Sequence, residues 1–477
     1  MNTIQTYIIA TIWFASAMPA LGQQATIPSG TVFVPDSSKP KPIGVGPALA
    51  EVASDLTSVV GITLVTREEL HNAVTNVAVF QPTPPATPPA VTQPAVTQPA
   101  AAQPAVVDNP ALLNVVPQAA PVAVNAAADP MDVLAGFETP ASVACIYALV
   151  APSNGCNPRL VKTNASGGSK VIAIVDAFDD ANAGNDLTVF SEHFGLPFKP
   201  ETFRVVYAGG QRPPPDPTVG KGWEIETSLD IEWAHAMAPD ARIVLVEAAS
   251  SGLDDMYTAV EVANSIVSQA GGGEVSLSWG AAEFEDEITH DLAFDRQGIV
   301  HFASTGDHFI VSYPASSPHV VGVGGTTLLR DAQGNLLGET PWTNSGAGPS
   351  RWEPIPGYQN AFAAHVGQMR GIADIAAIAD PRTGVQVYDS GNAAAAATKG
   401  WIVVGGTSAA APIVAGIANA AGRFLPSGKD ELAFIYSKAG SAAYSRVKPG
   451  KCGGYTTDGT TWSYCTGVGT PNGNGGL

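Results

Sequence analysis

Positive charge is scarce in this 477-residue chain: 23 lysines and arginines stand against 42 aspartates and glutamates, a net charge of −19 at neutral pH. A chain of that sign repels a phosphate backbone, which argues against a nucleic-acid partner. Cysteine is also rare, with four residues, no Cys-x-x-Cys pair and no histidine close to either pair, so the spacing is not that of a zinc site. Long apolar runs are absent. The apolar stretch Tyr7 to Ala17 is too short for a comfortable membrane span, and no other stretch offers one.

Shortly after that stretch come Ala20-Leu21-Gly22, small residues suited to a signal peptidase, so residues 1–22 read as a secretory signal, despite an n-region without Lys or Arg. The expectation is an exported protein, extracellular or held in the periplasm or at the cell surface. In that setting four cysteines suggest two disulfides with three connectivities open, and the local choices are Cys145 with Cys156 and Cys452 with Cys465. The second pair would close a loop of about 14 residues, a constraint of roughly 3 kcal/mol in the chain-entropy picture.

Residues 23–80 form a short N-terminal propiece with a capping-box-like Thr66-Arg67-Glu68-Glu69. Residues 81–137 form a proline- and alanine-rich linker in which Gln-Pro-Ala recurs at 93, 98 and 103. From 138 to 477, apolar runs such as Val171–Val175, Ile243–Val246, Glu274–Ser278 and Ile299–Ala303 alternate with helical patterns. That alternation predicts an α/β domain, a mostly parallel sheet with helices on both faces.

Chemistry concentrates at Gly405-Gly406-Thr407-Ser408-Ala409-Ala410-Ala411-Pro412, a serine at a glycine-rich turn between the apolar run Trp401–Val404 and a small-residue helix pattern. Glycines let the backbone turn sharply, and a serine at a helix start lies near free amide groups able to hold negative charge. Gly-Thr-Ser alone is more often simply a helix cap. A helix is predicted over 223–237, ended by Pro239, with Glu226 and Asp230 four residues apart on one face, continued by Trp233 and Met237. A solvated acidic helix that includes Glu224 and Glu232 is the ordinary alternative. Gly298–Asp307 reads as a buried strand ending in a carboxylate, where parallel α/β sheets place their sites.

No histidine is followed by Gly-Thr, so the serine lacks the base segment of an ordinary subtilisin. Glu226-x-x-x-Asp230, Ser276-Leu277-Ser278-Trp279-Gly280, Ser304-Thr305-Gly306-Asp307 and Gly406-Thr407-Ser408, in this order, resemble the sedolisin family, the serine-carboxyl peptidases of the subtilisin clan. The resemblance runs from about residue 140 to the C-terminus. It implies a subtilisin-like fold and a secreted endopeptidase acting on protein or peptide substrates at acidic pH. Ser408 would be the nucleophile, Glu226 its general base, Asp230 the partner of that base, and Asp307 a neutral acid donating to the oxyanion. Asp176 stands where the family carries a supporting glutamate, and Trp279 where it places a tryptophan near the network; a turn or cap role and simple core packing are the respective alternatives.

Two departures accompany the resemblance. Residues 23–80 are too few for the sizeable prodomain usual in the family. Around the family's calcium site, Arg446 and Ser463 replace the expected carboxylates, so no metal and no cofactor are expected, with the Cys452–Cys465 bridge in the ion's place. Two other function classes remain as alternatives: a catalytically inactive binding module that retains the fold, and a non-peptidase acyl hydrolase, although Ser408 does not lie in a Gly-x-Ser-x-Gly elbow.

Overall fold

In the computed structural model, the described residues are 63–64, 134–217, 222–391 and 398–477. The expected signal (1–22), almost all of the propiece and the linker up to residue 133 lie outside them. Of the propiece only Thr63–Leu64 is described, paired antiparallel with Gly405 and Val404.

The domain is built on an eight-stranded sheet. Its strands are β1 (Val171–Ala177), β2 (Phe203–Tyr207), β3 (Arg242–Ala248), β4 (Gly273–Leu277), β5 (Ile299–Ser304), β6 (Val320–Arg330), β7 (Leu336–Pro341) and β8 (Ile375–Ile378). They run in the order β7-β6-β5-β4-β1-β3-β2, with β8 also on β6, and every pairing except β6 with β7 is parallel. The predicted mostly parallel α/β sheet is therefore what forms.

Strand β1 shows why its sequence is apolar throughout. Successive side chains point to opposite faces, and both faces are covered. Ile172 and Ile174 join a core with Leu229, Trp233 and Ile413, whereas Val171, Ala173 and Val175 join a second core with Val260, Ala263 and Val267. The first layer contains α3 (Gly222–Met237) and α5 (Thr407–Ala421), the second α4 (Leu253–Gln269). Helices α1 (Pro140–Ile146), α2 (Ala183–Phe194) and α6 (Gly428–Ser437) pack around this frame.

Helix α3 is not the solvated acidic helix of the ordinary alternative, because every residue from Trp223 to Met237 is buried. Its acidic flank is not solvated. Glu232 instead accepts from the Tyr388 amide at 3.1 Å, and the Trp233 indole donates to the Gln386 carbonyl at 3.0 Å. The domain also begins earlier than composition suggests: Leu134 and Phe137, at the end of the expected linker, are buried in the main core. Just beyond them the Arg330 guanidinium reaches both carboxylate oxygens of Glu138 at 2.6 Å and the Cys156 carbonyl at 3.0 Å.

Both local disulfides form, Cys145–Cys156 and Cys452–Cys465, with Cα atoms 5.4 and 5.6 Å apart. The first joins the end of α1 to the turn Asn154–Cys156, and the second ties the hairpin Gly450–Cys452/Tyr455–Thr457 to the segment before Thr466.

Behind β6 the chain buries an ion pair completely. Arg370 donates to Asp374 at 3.0 and 2.8 Å and to the Val320 carbonyl at 2.8 Å, while Asp374 also accepts from the Gly322 amide and the Tyr436 hydroxyl, each at 2.8 Å. Removing one member leaves a buried charge without its partner, which costs about 3–5 kcal/mol. Asp374→Ala is expected to lower the unfolding free energy by about that amount, read as a reduced urea midpoint at unchanged slope.

Candidate active site

Three strand ends and two helices converge at the carboxyl edge of the sheet. Strand β1 ends at Asp176 and Ala177, β4 runs out into Ser278-Trp279, and β5 runs into Thr305-Gly306-Asp307. Opposite them, α3 presents Glu226 and Asp230, and α5 opens with Thr407 and Ser408. The turn into α5 requires glycine: Gly406 has φ +109°, a region that L side chains rarely adopt.

Ser408 is fully buried, and its hydroxyl donates to the Ser278 carbonyl at 3.3 Å. Ser278 in turn places its own hydroxyl 2.8 Å from Asp230 Oδ1 and 3.2 Å from the Ser408 carbonyl. That carbonyl is available because Pro412 lies four residues on and has no N–H to donate back to it. The proline thus sits beyond the first turn of the helix, where Ser278 compensates for the missing rung.

Asp307 is held differently. Its Oδ1 accepts both the Thr407 amide and the Thr407 hydroxyl at 2.9 Å, and the Gly306 amide donates to the same hydroxyl oxygen at 3.0 Å. With two donors directed at Oδ1, a proton on this carboxyl belongs on Oδ2, which has no partner among the described residues. Burial pushes Asp307 up to about 7, against the two Thr407 donors that favour the ionised form.

The other carboxyls are shifted the same way. Burial pushes Asp176 up to about 7, opposed by the Thr227 hydroxyl and reinforced by Asp180. Glu226 is raised well above the usual range by burial and then by Asp176, with the Ser408 hydroxyl favouring its ionised form and Asp307 adding to the rise. Asp230 is raised by burial, Asp176 and Glu226, with Ser278 opposing. Neither Glu226 oxygen makes a hydrogen bond of normal geometry among the described residues, and Asp230 Oδ2 is likewise without one.

The structure therefore brings together Ser408, Glu226, Asp230, Asp307 and Asp176. Trp279 lies at the edge of this group: it is buried in the second core, and its indole donates to the Val175 carbonyl at 3.1 Å, directly before Asp176. Sequence reasoning missed Ser278, Thr407 and Thr227 as individual contributors, although the first two lie inside the motifs that carry Trp279 and Ser408. Their signal was the hydroxyl type itself, next to carboxylates that would need donors.

Arg446 and Ser463 occupy the positions where the resemblance implies calcium ligands. Arg446 is exposed and has no lone pair to offer, while the Ser463 hydroxyl pairs with Thr466 at 3.1 Å. Among the described residues no cluster of three or more His, Cys, Asp or Glu side chains is arranged to hold a metal ion.

The pKa shifts set a sign for stability. Asp176 and Asp307 ionise near 3.8 in the unfolded chain and near 7 in the fold, so their stabilisation is complete below about 3.8 and is lost as pH rises through 7. The melting temperature is expected to fall between pH 4 and pH 8, and the fall should be shallower in Asp307→Asn. Thermal unfolding in a pH series checks this; a melting temperature independent of pH would contradict it.

Residues 220–431, which span both α3 and the Ser408 turn, match the Subtilase family. The chain is 31% identical over 281 residues to kumamolisin from Bacillus sp. (strain MN-32), covering 53% of this chain and 48% of that protein. It is 31% identical over 239 residues to sedolisin from Pseudomonas sp. (strain 101), covering 41% of this chain and 38% of that one. A match of 26% over 292 residues links it to tripeptidyl-peptidase 1 of Dictyostelium discoideum, covering 55% of this chain and 44% of that one. The chain thus spans about half the length, or less, of these relatives. Its fold is similar to that of Pseudomonas sedolisin, a serine-carboxyl proteinase solved with two molecules of pseudo-iodotyrostatin, at a TM-score of 0.56 and 23% identity over 71% of this chain and 96% of that one. With carboxylates grouped around Ser408 on a subtilisin-like sheet, the chain is similar in sequence to kumamolisin and sedolisin and in fold to sedolisin.

Proposed function

We propose that this protein is an exported serine-carboxyl endopeptidase that cleaves peptide bonds in protein substrates at acidic pH. The observation that carries the reading is the Asp307 carboxyl, whose Oδ1 is saturated by Thr407 while Oδ2 is left to donate beside the Ser408 turn.

In this reading the Ser408 hydroxyl turns from the Ser278 carbonyl to Glu226, gives up its proton there and attacks the scissile carbonyl. Asp230 holds a shared proton with Glu226, and the Ser278 hydroxyl fixes Asp230 against the backbone of the nucleophile. Asp176, buried next to both, keeps the pair from ionising together. The oxyanion accepts a hydrogen bond from the protonated Asp307 Oδ2, a proton that Asp307 loses as pH rises through about 7. Leaving-group protonation returns the Glu226 proton, and water repeats the sequence in reverse. No cation takes part, since the donors at the family's metal position do not suit one. Export rests on the leading apolar segment alone. The inactive-module alternative gains no observation, because every residue of the proposed machinery is present at the one sheet edge.

Activity on a denatured protein across pH 2–8, with chelator throughout, tests the reading. Ser408→Ala and Glu226→Gln should abolish cleavage, and Asp307→Ala should lower kcat by about 10²–10³. Asp307→Asn matches the same hydrogen-bond pattern without a titrating proton, so it is expected to retain more activity than Asp307→Ala and to move the alkaline limb to higher pH. Cleavage by a folded Ser408→Ala protein at the wild-type rate would end the proposal.

A further inference from the structure

Four carboxyls that the proposed mechanism does not use meet between two segments of chain. Glu283, Glu287 and Asp291 belong to the stretch that includes the short helix Glu287–Ala293, and Glu353 belongs to the strand Gly348–Pro354. Glu287, Asp291 and Glu353 are buried. The Glu353 carboxyl faces that of Asp291 within hydrogen-bonding reach, and the Glu287 carboxyl faces that of Glu283 in the same way. Two carboxylates offer each other only acceptors, so each contact is a hydrogen bond only while one partner carries a proton. Glu283 Oε1 and Glu353 Oε1 have no other donor among the described residues.

The two sides are not held equally. The 283–293 side follows Ala281–Ala282, which pairs antiparallel with Tyr313 and Ser312. Its Glu287 accepts the Phe284 amide and the Ser316 hydroxyl at 2.9 and 3.3 Å, and its Asp291 accepts the Tyr313 hydroxyl at 3.1 Å. The other side has less support, because the ladder of Gly348–Pro354 with Met369–Ile372 is interrupted between Pro349 and Pro354. Inside that gap the Arg351 amide donates to Glu283 at 3.1 Å, while the Trp352 and Glu353 amides turn back to the Ser350 hydroxyl at 3.1 and 2.8 Å. The carboxyl contacts thus bridge the part of the strand that its ladder leaves unsupported. Just upstream, the Gly346 amide donates to the Gly306 carbonyl at 2.6 Å, directly before Asp307.

The surroundings do not neutralise the group. Arg370 faces Glu353 but is paired with Asp374, and His319 faces Asp291 while its Nδ1 lies 3.3 Å from Asp295. From α4 comes Tyr257, on which His290 stacks at 4.6 Å, and from the 357–362 turn comes Tyr358, both phenols held neutral by burial. The Arg351 side chain is exposed. Burial, with Glu283 and Glu353 adding and the Phe284 amide opposing, pushes Glu287 up to about 8; burial, with Asp291 and Glu283 adding and Arg370 opposing, does the same to Glu353. Burial also raises Asp291, against the Ser317 and Tyr313 hydroxyls and His319. Glu287 and Glu353 ionise near 4.5 in the unfolded chain, so their stabilisation is complete below about 4.5 and is lost as pH rises through about 8.

We propose that these four carboxyls form a proton-operated clasp: in acid, shared protons hold the strand Gly348–Pro354 to the 283–293 stretch, and towards neutrality mutual repulsion frees the strand and loosens its attachment beside Asp307. Control of cleavage by the clasp rests on the peptidase reading, whereas the clasp itself does not.

The test is hydrogen–deuterium exchange of the Ser408→Ala protein, read by mass spectrometry from pH 4 to pH 8 and corrected for the intrinsic exchange rate. Peptides covering 348–354 are expected to lose about tenfold more protection over this range than peptides covering β1, which report on the whole domain. Glu353→Gln and Glu283→Gln each supply an N–H that does not titrate, so in either variant the excess loss should largely vanish, with protection at pH 4 retained. Equal loss in both sets of peptides, or an excess loss in 348–354 that persists in both variants, overturns the clasp; should Glu353→Gln fail to fold, the wild-type profile and Glu283→Gln still decide. The expected exchange pattern together with no cleavage by the wild type would instead overturn the peptidase reading and leave the clasp standing.

Discussion

The site rests on carboxyls taken out of water with no lysine or arginine beside them among the described residues. Asp176, Glu226, Asp230 and Asp307 are almost wholly buried, and among the described residues no lysine or arginine is one of the groups that shift them. A buried carboxylate with no counter-charge neutralises by taking a proton rather than bearing its desolvation cost. Protons therefore serve here as the structural counter-ions, and the hydroxyls of Thr227, Ser278 and Thr407 stabilise what charge remains. That single constraint links the packing of α3 against the sheet to the proton inventory of the site.

It also explains how the same hydroxyl serves two purposes. Ser278 bridges Asp230 and the carbonyl that Pro412 frees at the start of α5, 130 residues away in sequence. A proline in the second turn of a helix is ordinarily disruptive. Here the disruption delivers an acceptor to a neighbour positioned to use it, so one side chain holds both the Asp230 carboxyl and the Ser408 backbone.

Much of this was legible in the sequence, and the parts that were not share a cause. The helix at 223–237, the strand ends at Asp176 and Asp307, and the Ser408 turn all announce themselves through local signals: periodicity, an apolar run meeting a carboxylate, glycines before a serine. The burial of Glu224 and Glu232 does not, since the groups that cover them come from chain far away, as the Tyr388 amide does for Glu232. The start of the domain was missed for a related reason. Composition marks where proline and alanine enrichment ends, whereas Leu134 and Phe137 belong to the fold through contacts that no window of sequence contains. The disulfides were legible because both are local and there were only four cysteines to arrange.

The Arg330–Glu138 contact has a bearing on the chain's leading end. Glu138 also pairs through its backbone, its amide on the Gly384 carbonyl and its carbonyl on the Gln386 amide, both at 3.0 Å. Main chain, charged fork and the Cys145–Cys156 bridge thus fasten the same short stretch at three successive points. Whatever length of polypeptide precedes it, tension or trimming upstream meets this anchorage before it can reach α3, so the head of the domain behaves as a moored end rather than a loose one.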